Sequence, residues 1–199
     1  MTGRDGRRAA ASAPLGRDRI QALLADLDRR LRARGAGASL YVVGGAAVAV
    51  TVADRRVTRD VDVAALDGAL AEEARSLAAA EGLPVDWLNA GAAPWIPVPP
   101  VTDPVPVSGL VVRFAPPEHL LAMKLVALRQ QDAADIAALA EVLGMSAAPA
   151  ERFADLLHAV YAGEGVLGQV LGVPDHRVDD EVSAIAQRVA AFIAAETPP

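Results

Sequence analysis

The sequence predicts an α/β fold of the α+β kind, a mixed sheet flanked by helices with a helical C-terminal region. Three observations carry this. The run 39–43 is a short apolar strand that passes directly into Gly44-Gly45 and an Ala/Val-rich helix. Residues 60–66 read as a second strand, with Asp60 and Asp62 alternating with Val61 and Val63. From Pro116 onward, apolar residues recur at steps of three and four, the spacing of successive amphipathic helices. A composition of 53% hydrophobic residues, much of it alanine, with only 4% aromatics, agrees with a helix-rich chain.

In order along the chain, residues 1–16 are expected to form a disordered tail, 17–115 the α/β core and 116–199 the helical region. The first helix, 18–33, carries Ile20, Leu23, Leu24, Leu27 and Leu31 on one face. After the two strands and the helix between them, a helix at 68–81 leads to a strand at 83–88 that holds Asp86. A strand at 110–114 follows. Residues 93–107 contain six prolines, at positions 94, 97, 99, 100, 104 and 106, and must form a loop or edge segment. Trp95 within it reads as an anchor for the loop. Helices are expected at 117–130, 132–143, 149–162 and 178–195. In the last of these, Val178, Val182, Ile185, Val189 and Phe192 form an apolar stripe suited to packing within the chain, or to a homodimer or partner interface.

Global numbers exclude several classes. At 199 residues, the chain is long enough for one good core. It has no cysteine, so neither a disulfide framework nor a thiolate metal site is available. No run of 18 uncharged apolar residues marks a membrane span, and the N-terminus lacks the apolar stretch of a secretory signal, so the expected location is cytoplasmic with no membrane partner. A net charge of -6 argues against a broad nucleic-acid-binding surface. Arginines do cluster at positions 4, 7, 8, 17 and 19 and again at 29, 30, 32 and 34, where favourable placement at a helix C-terminus accounts for the second group. His119, His158 and His176 show no metal-ligand spacing.

Chemistry is concentrated at the first two strands. Gly44 and Gly45 let the backbone turn sharply and approach a ligand, while the first amides of the following helix present donors and the positive end of its dipole to phosphate. A plain tight turn would use the same residues. Asp60 and Asp62, at i and i+2 on a strand, project from the same face. Two adjacent carboxylates suit a hard divalent cation, Mg²⁺ or Mn²⁺, carried with a nucleoside triphosphate. Exposed edge aspartates kept for solubility are the alternative.

These residues resemble the nucleotidyltransferase fold, and within it the AbiEii/MenT-type toxins of bacterial toxin–antitoxin pairs, whose signature is similar to Gly-Gly, a helix, then Arg-x-Thr-x-Asp-x-Asp. Here the corresponding residues are Gly44-Gly45 and Arg56, Thr58, Asp60 and Asp62. A second segment, with Lys124, Ala127 and Arg129 followed by Asp132 and Asp135, resembles the helical Lys-x-x-Ala-x-x-Arg and Asp-x-x-Asp portion in slightly compressed spacing. The likeness covers roughly residues 38–136. It implies transfer of a nucleoside monophosphate from an NTP to a hydroxyl acceptor, with RNA, perhaps tRNA, as acceptor and an antitoxin protein as partner. It also implies that Asp60, Asp62, Asp86 and Lys124 are catalytic. On this likeness Asp60, Asp62 and Asp86 bind metal, and Asp86 is a third carboxylate on a neighbouring strand that activates the acceptor hydroxyl, its alternative being an exposed strand-end residue. The likeness further implies that Lys124 neutralises charge on the phosphates, and that Gly44, Gly45, Thr58, Lys124, Arg129 and Asp135 contact nucleotide. Where the family commonly has Gly-Ser, this chain has Gly-Gly.

Lys124 stands out in composition as well, being the only lysine among 19 basic residues. A compact ammonium is a point donor for phosphate and can lose its proton when desolvated, which a guanidinium cannot. Asp132 is read as a helix N-cap and Asp135 as the residue facing the site. Two other functions fit the sequence less directly: a non-catalytic binding module, favoured by the acidic pI and the last apolar stripe, and transfer to a cationic small molecule such as an aminoglycoside. Extra carboxylates around Asp60 and Asp62 would favour the small molecule, and an arginine-lined groove would favour RNA.

Overall fold

The computed structural model describes residues 13–54, 56–66, 68–97 and 104–196. The expected tail to residue 12 and the middle of the proline-rich loop lie outside them. Within them runs a four-stranded mixed sheet in the order β3-β2-β1-β4, carrying helices and continuing into a helical C-terminal region, as the sequence predicts.

Helix α1 (Arg17–Arg34) buries the predicted face, Ile20, Leu23, Leu24, Leu27 and Leu31, and ends at Gly35 in the left-handed conformation that glycine adopts without strain. Its arginines do not form a free basic face. Arg29 and Arg30 pair with Asp26, Arg32 with Asp28, Arg34 with Glu72 and Glu73, and Arg19 with Glu81. Those glutamates belong to α3 (Gly68–Glu81), which packs on α1. Residues 13–16, expected in the tail, already join the core. Leu15 is buried, and it exchanges backbone hydrogen bonds with Thr58 at 2.7 and 2.9 Å.

Strand β1 (Gly37–Val43) runs parallel to β4 (Gly109–Phe114) and antiparallel to β2 (Val61–Val63), with Val43 opposite Asp62. Helix α2 (Gly44–Thr51) leaves β1 without an intervening loop. Strand β3 (Leu88–Asn89) pairs parallel to β2, and its register sets Asn89 opposite Asp62. The anchor for β3 is Trp87, fully buried, whose indole N–H donates to the Ala74 carbonyl of α3 at 3.0 Å while its own carbonyl accepts from Val61 N–H.

The C-terminal region comprises α4 (Pro117–Ala127), α5 (Ala133–Val142), α6 (Ala150–Val160), α7 (Val166–Leu171) and α8 (Val178–Glu196). Of the expected α8 stripe, Val182, Ile185 and Val189 are buried, joined by Ala186 and Ile193, while Val178 and Phe192 are only half-buried against the core; the helix packs against α6 and α4, so packing within the chain accounts for most of the stripe. Helix α4 stops earlier than expected, at Leu128, the one non-glycine residue among those described with positive φ, at 40°. Trp95 does not anchor its loop through its ring, which is 44% exposed; its carbonyl is held by the buried Tyr161 hydroxyl at 2.8 Å. No helix among the described residues is long and apolar enough to cross a membrane.

Candidate active site

The strand-to-helix turn at Gly44 and the acidic strand β2 meet edge to edge. Gly44 adopts φ 64°, and a Cβ there would lie 2.7 Å from Asp62 Oδ2; any side chain would displace that carboxylate. A Cβ on Gly45 would sit 3.0 Å from the Thr58 hydroxyl and 3.3 Å from an Arg56 nitrogen. The glycine pair and the Arg56–Asp62 segment are therefore one packed unit. In β2 the pattern is Val61 buried, Asp62 half-buried, Val63 buried, so the valines fix the strand in the core and leave the carboxylate on its other face.

Asp60 and Asp62 carry no ion pair among the described residues. Burial, reinforced by the negative charge of Asp60, pushes the Asp62 carboxyl up to about 6, against the pull of the Lys124 and Arg129 charges and an Asn89 hydrogen bond. Thr58 Oγ1 and Asn89 Nδ2 approach Asp60 at 3.5 Å each. Two carboxylates that repel each other, on one face and beside a turn stripped of side chains, form a donor set that fits a divalent cation with oxygen ligands. Asp60 and Asp62 are the residues that could hold it.

Asp86 does not complete that set. It lies in an exposed turn before β3, and no three His, Cys, Asp or Glu side chains among the described residues group closely enough to hold a metal. The strand expected at 83–88 does not include Asp86 because Pro84 is poorly placed inside a central strand, and pairing begins only at Leu88. The residue beside the pair is instead Asn89. Its Oδ1 accepts from Gly91 N–H at 2.8 Å, which assigns the oxygen and turns the NH₂ toward Asp60 and the Asp86 carbonyl, the latter at 3.3 Å.

Behind the pair lies a charged network. Lys124 Nζ is 2.5 Å from Asp132 and 2.8 Å from Asp135, and Asp135 also receives Arg56 Nε at 2.7 Å. Both aspartates are almost fully buried, and Asp132 makes no side-chain cap bond, so its expected role as an N-cap gives way to binding lysine. Asp135 faces inward as expected, yet its contacts are to protein cations. The break at Leu128 lets the chain turn back so that Asp132 and Asp135 reach Lys124, while Arg129 emerges exposed near enough to Asp62 to influence it. Arg129 and Arg59 are both exposed, and neither pairs with a carboxylate among the described residues.

Comparison with known families decides what this geometry belongs to. A family described as nucleotidyltransferase of unknown function (DUF6036) matches residues 18–145, from α1 through α5. The chain belongs to this nucleotidyltransferase family. The match takes in every candidate site residue described above, with α6, α7 and α8 beyond it. No curated protein and no solved structure matches the chain.

Proposed function

We propose that this nucleotidyltransferase moves a nucleoside monophosphate from an NTP to a hydroxyl of RNA, with tRNA the preferred class of acceptor, in a reaction dependent on Mg²⁺ or Mn²⁺. The observation that carries the reading is the contact of Gly44 with Asp62: a glycine turn at a helix N-terminus built directly against a pair of carboxylates that have no ion-pair partner among the described residues. The first amides of α2 receive the β- and γ-phosphates, which leaves the α-phosphate beside Asp60 and Asp62 open to in-line attack. Asp60 and Asp62 would hold the divalent ion, which would supply charge neutralisation at the reacting phosphate. Lys124 is committed to Asp132 and Asp135, so it lends its charge from behind and fixes α5 on α4. The exposed Arg129 guanidinium is the cation that meets phosphate directly.

RNA is preferred over a cationic small molecule because Asp132 and Asp135, behind the pair, are already neutralised by Lys124 and Arg56, while Arg59 and Arg129 stand exposed. The α8 stripe that favoured a pure binding module is largely used up within the chain. The likeness of the Arg56–Asp62 signature to AbiEii/MenT-type toxins extends the reading to a cytoplasmic toxin restrained by an antitoxin protein.

Incubation of the protein with Mg²⁺, each α-labelled NTP in turn and total cellular RNA, beside an Asp60→Ala, Asp62→Ala variant, tests the reading. Label should pass to RNA with wild type alone. No transfer to RNA and no calorimetric binding of NTP with Mg²⁺ would overturn it.

A further inference from the structure

Resting on that reading of the carboxylate pair, we propose that Asn89 restricts the centre to a single divalent cation per chain. The register of β3 against β2 puts Asn89 directly beside Asp62, on the flank from which the sheet could add a further ligand. What it adds is a donor. An amide ligates a hard cation only through its oxygen, and Oδ1 is already bonded to Gly91 N–H at 2.8 Å, turned away from the pair. The NH₂ group points at Asp60 instead.

The orientation is enforced twice. The backbone N–H of Gly91 can only donate, so the amide cannot flip without losing that bond and setting its NH₂ against another donor. A Cβ at Gly91 would stand 2.8 Å from Asn89 Oδ1, so glycine there lets the turn come close enough to hold the oxygen. Trp87, buried under α3, fixes the strand two residues earlier. Elsewhere near the pair, Asp132 and Asp135 are engaged by Lys124 and Arg56. Two carboxylates, with water and substrate phosphates filling the remaining positions, satisfy one octahedral ion. A second close ion would need further anionic oxygens, and at this flank it would meet the Asn89 NH₂. The centre thus takes the one cation that travels with the triphosphate.

The test is Mn²⁺ binding, read by calorimetry and by electron paramagnetic resonance, in the presence of a non-hydrolysable NTP analogue, for wild type, Asn89→Asp and Asn89→Ala. Wild type should bind one Mn²⁺ per chain with no spin coupling. Asn89→Asp should bind two that couple at short range, and Asn89→Ala should remain at one. Two coupled ions in wild type, or a folded Asn89→Asp variant that stays at one, would overturn the assignment of Asn89 while leaving the carboxylate site intact. Absence of Mn²⁺ binding in wild type, or binding unchanged by Asp60→Ala with Asp62→Ala, would instead remove the carboxylate site itself, and this proposal with it. A wild-type count of two overturns the proposal without recourse to either variant.

Discussion

Replacing Lys124 by methionine keeps the length and apolar stem of the side chain while removing its charge. In the folded protein the Lys124 side chain is 11% exposed, and its partners Asp132 and Asp135 are 5% and 3% exposed. The substitution leaves Asp132 with no other ion-pair partner among the described residues, while Asp135 keeps Arg56 at 2.7 Å. Removing one partner from a buried ion pair costs about 3–5 kcal/mol, because the remaining charge stays desolvated. For a chain of this size each kcal/mol lowers Tm by about 2–4 °C, so Lys124→Met should lower Tm by roughly 10 °C, read by circular dichroism at neutral pH. The cause can be separated from general damage by the double variant Lys124→Met with Asp132→Asn, which removes the stranded charge and should restore at least half of the loss. A loss under about 2 °C in the single variant, or no recovery in the double, would refute the idea that this lysine neutralises the buried aspartates.

Asp62→Asn should change the pH dependence of stability in metal-free protein. The Asp62 carboxyl rises from 3.8 to about 6 on folding, so its contribution is fully present below about pH 4 and is lost as pH rises through 6. The variant should therefore be more stable than wild type at pH 8 by roughly 1–2 kcal/mol, after allowance for partial exposure, and no more stable at pH 4; urea titrations in chelator at both pH values measure this. Gly44→Ala combines a left-handed backbone with a Cβ 2.7 Å from Asp62 Oδ2. It should cost about 1–2 kcal/mol from backbone strain and weaken Mn²⁺ binding by at least tenfold in calorimetry. Tyr161→Phe removes the hydroxyl that holds the Trp95 carbonyl at 2.8 Å, and should lower stability by about 1 kcal/mol in the same urea titrations, with Mn²⁺ binding unchanged.

The helices that were legible in the sequence are those with long apolar periodicity. Residues 68–81 match α3 to the residue, and 18–33 differs from α1 by one residue at each end. What escaped is short or depends on distant partners. Helix α7 has six residues between Gly165 and Gly172, too few for a period to register. In place of the expected strand at 83–88, β3 is only Leu88–Asn89, because its position depends on Trp87 reaching Ala74 and on pairing with β2, contacts that local pattern does not encode. The left-handed turn at Leu128, which ends α4 three residues before the expected boundary, carries no glycine or proline to announce it.

The two aspartate pairs show how far residue type alone can take a site assignment. Asp60 with Asp62 and Asp132 with Asp135 look alike in sequence, as closely spaced acids among alanine and valine. Folding separates them by what stands opposite. The second pair meets Lys124 and Arg56, two protein cations for two buried carboxylates, and its charge is balanced within the chain. The first has no ion-pair partner among the described residues: it meets a glycine turn, a hydroxyl and an amide, and although the Lys124 and Arg129 charges act on Asp62, burial and Asp60 still raise it to about 6. A pair balanced internally contributes to the fold. A pair left unbalanced destabilises the protein above pH 6, and that electrostatic deficit, more than the Asp-x-Asp spacing, is what supports the proposal that β2 is the reactive strand.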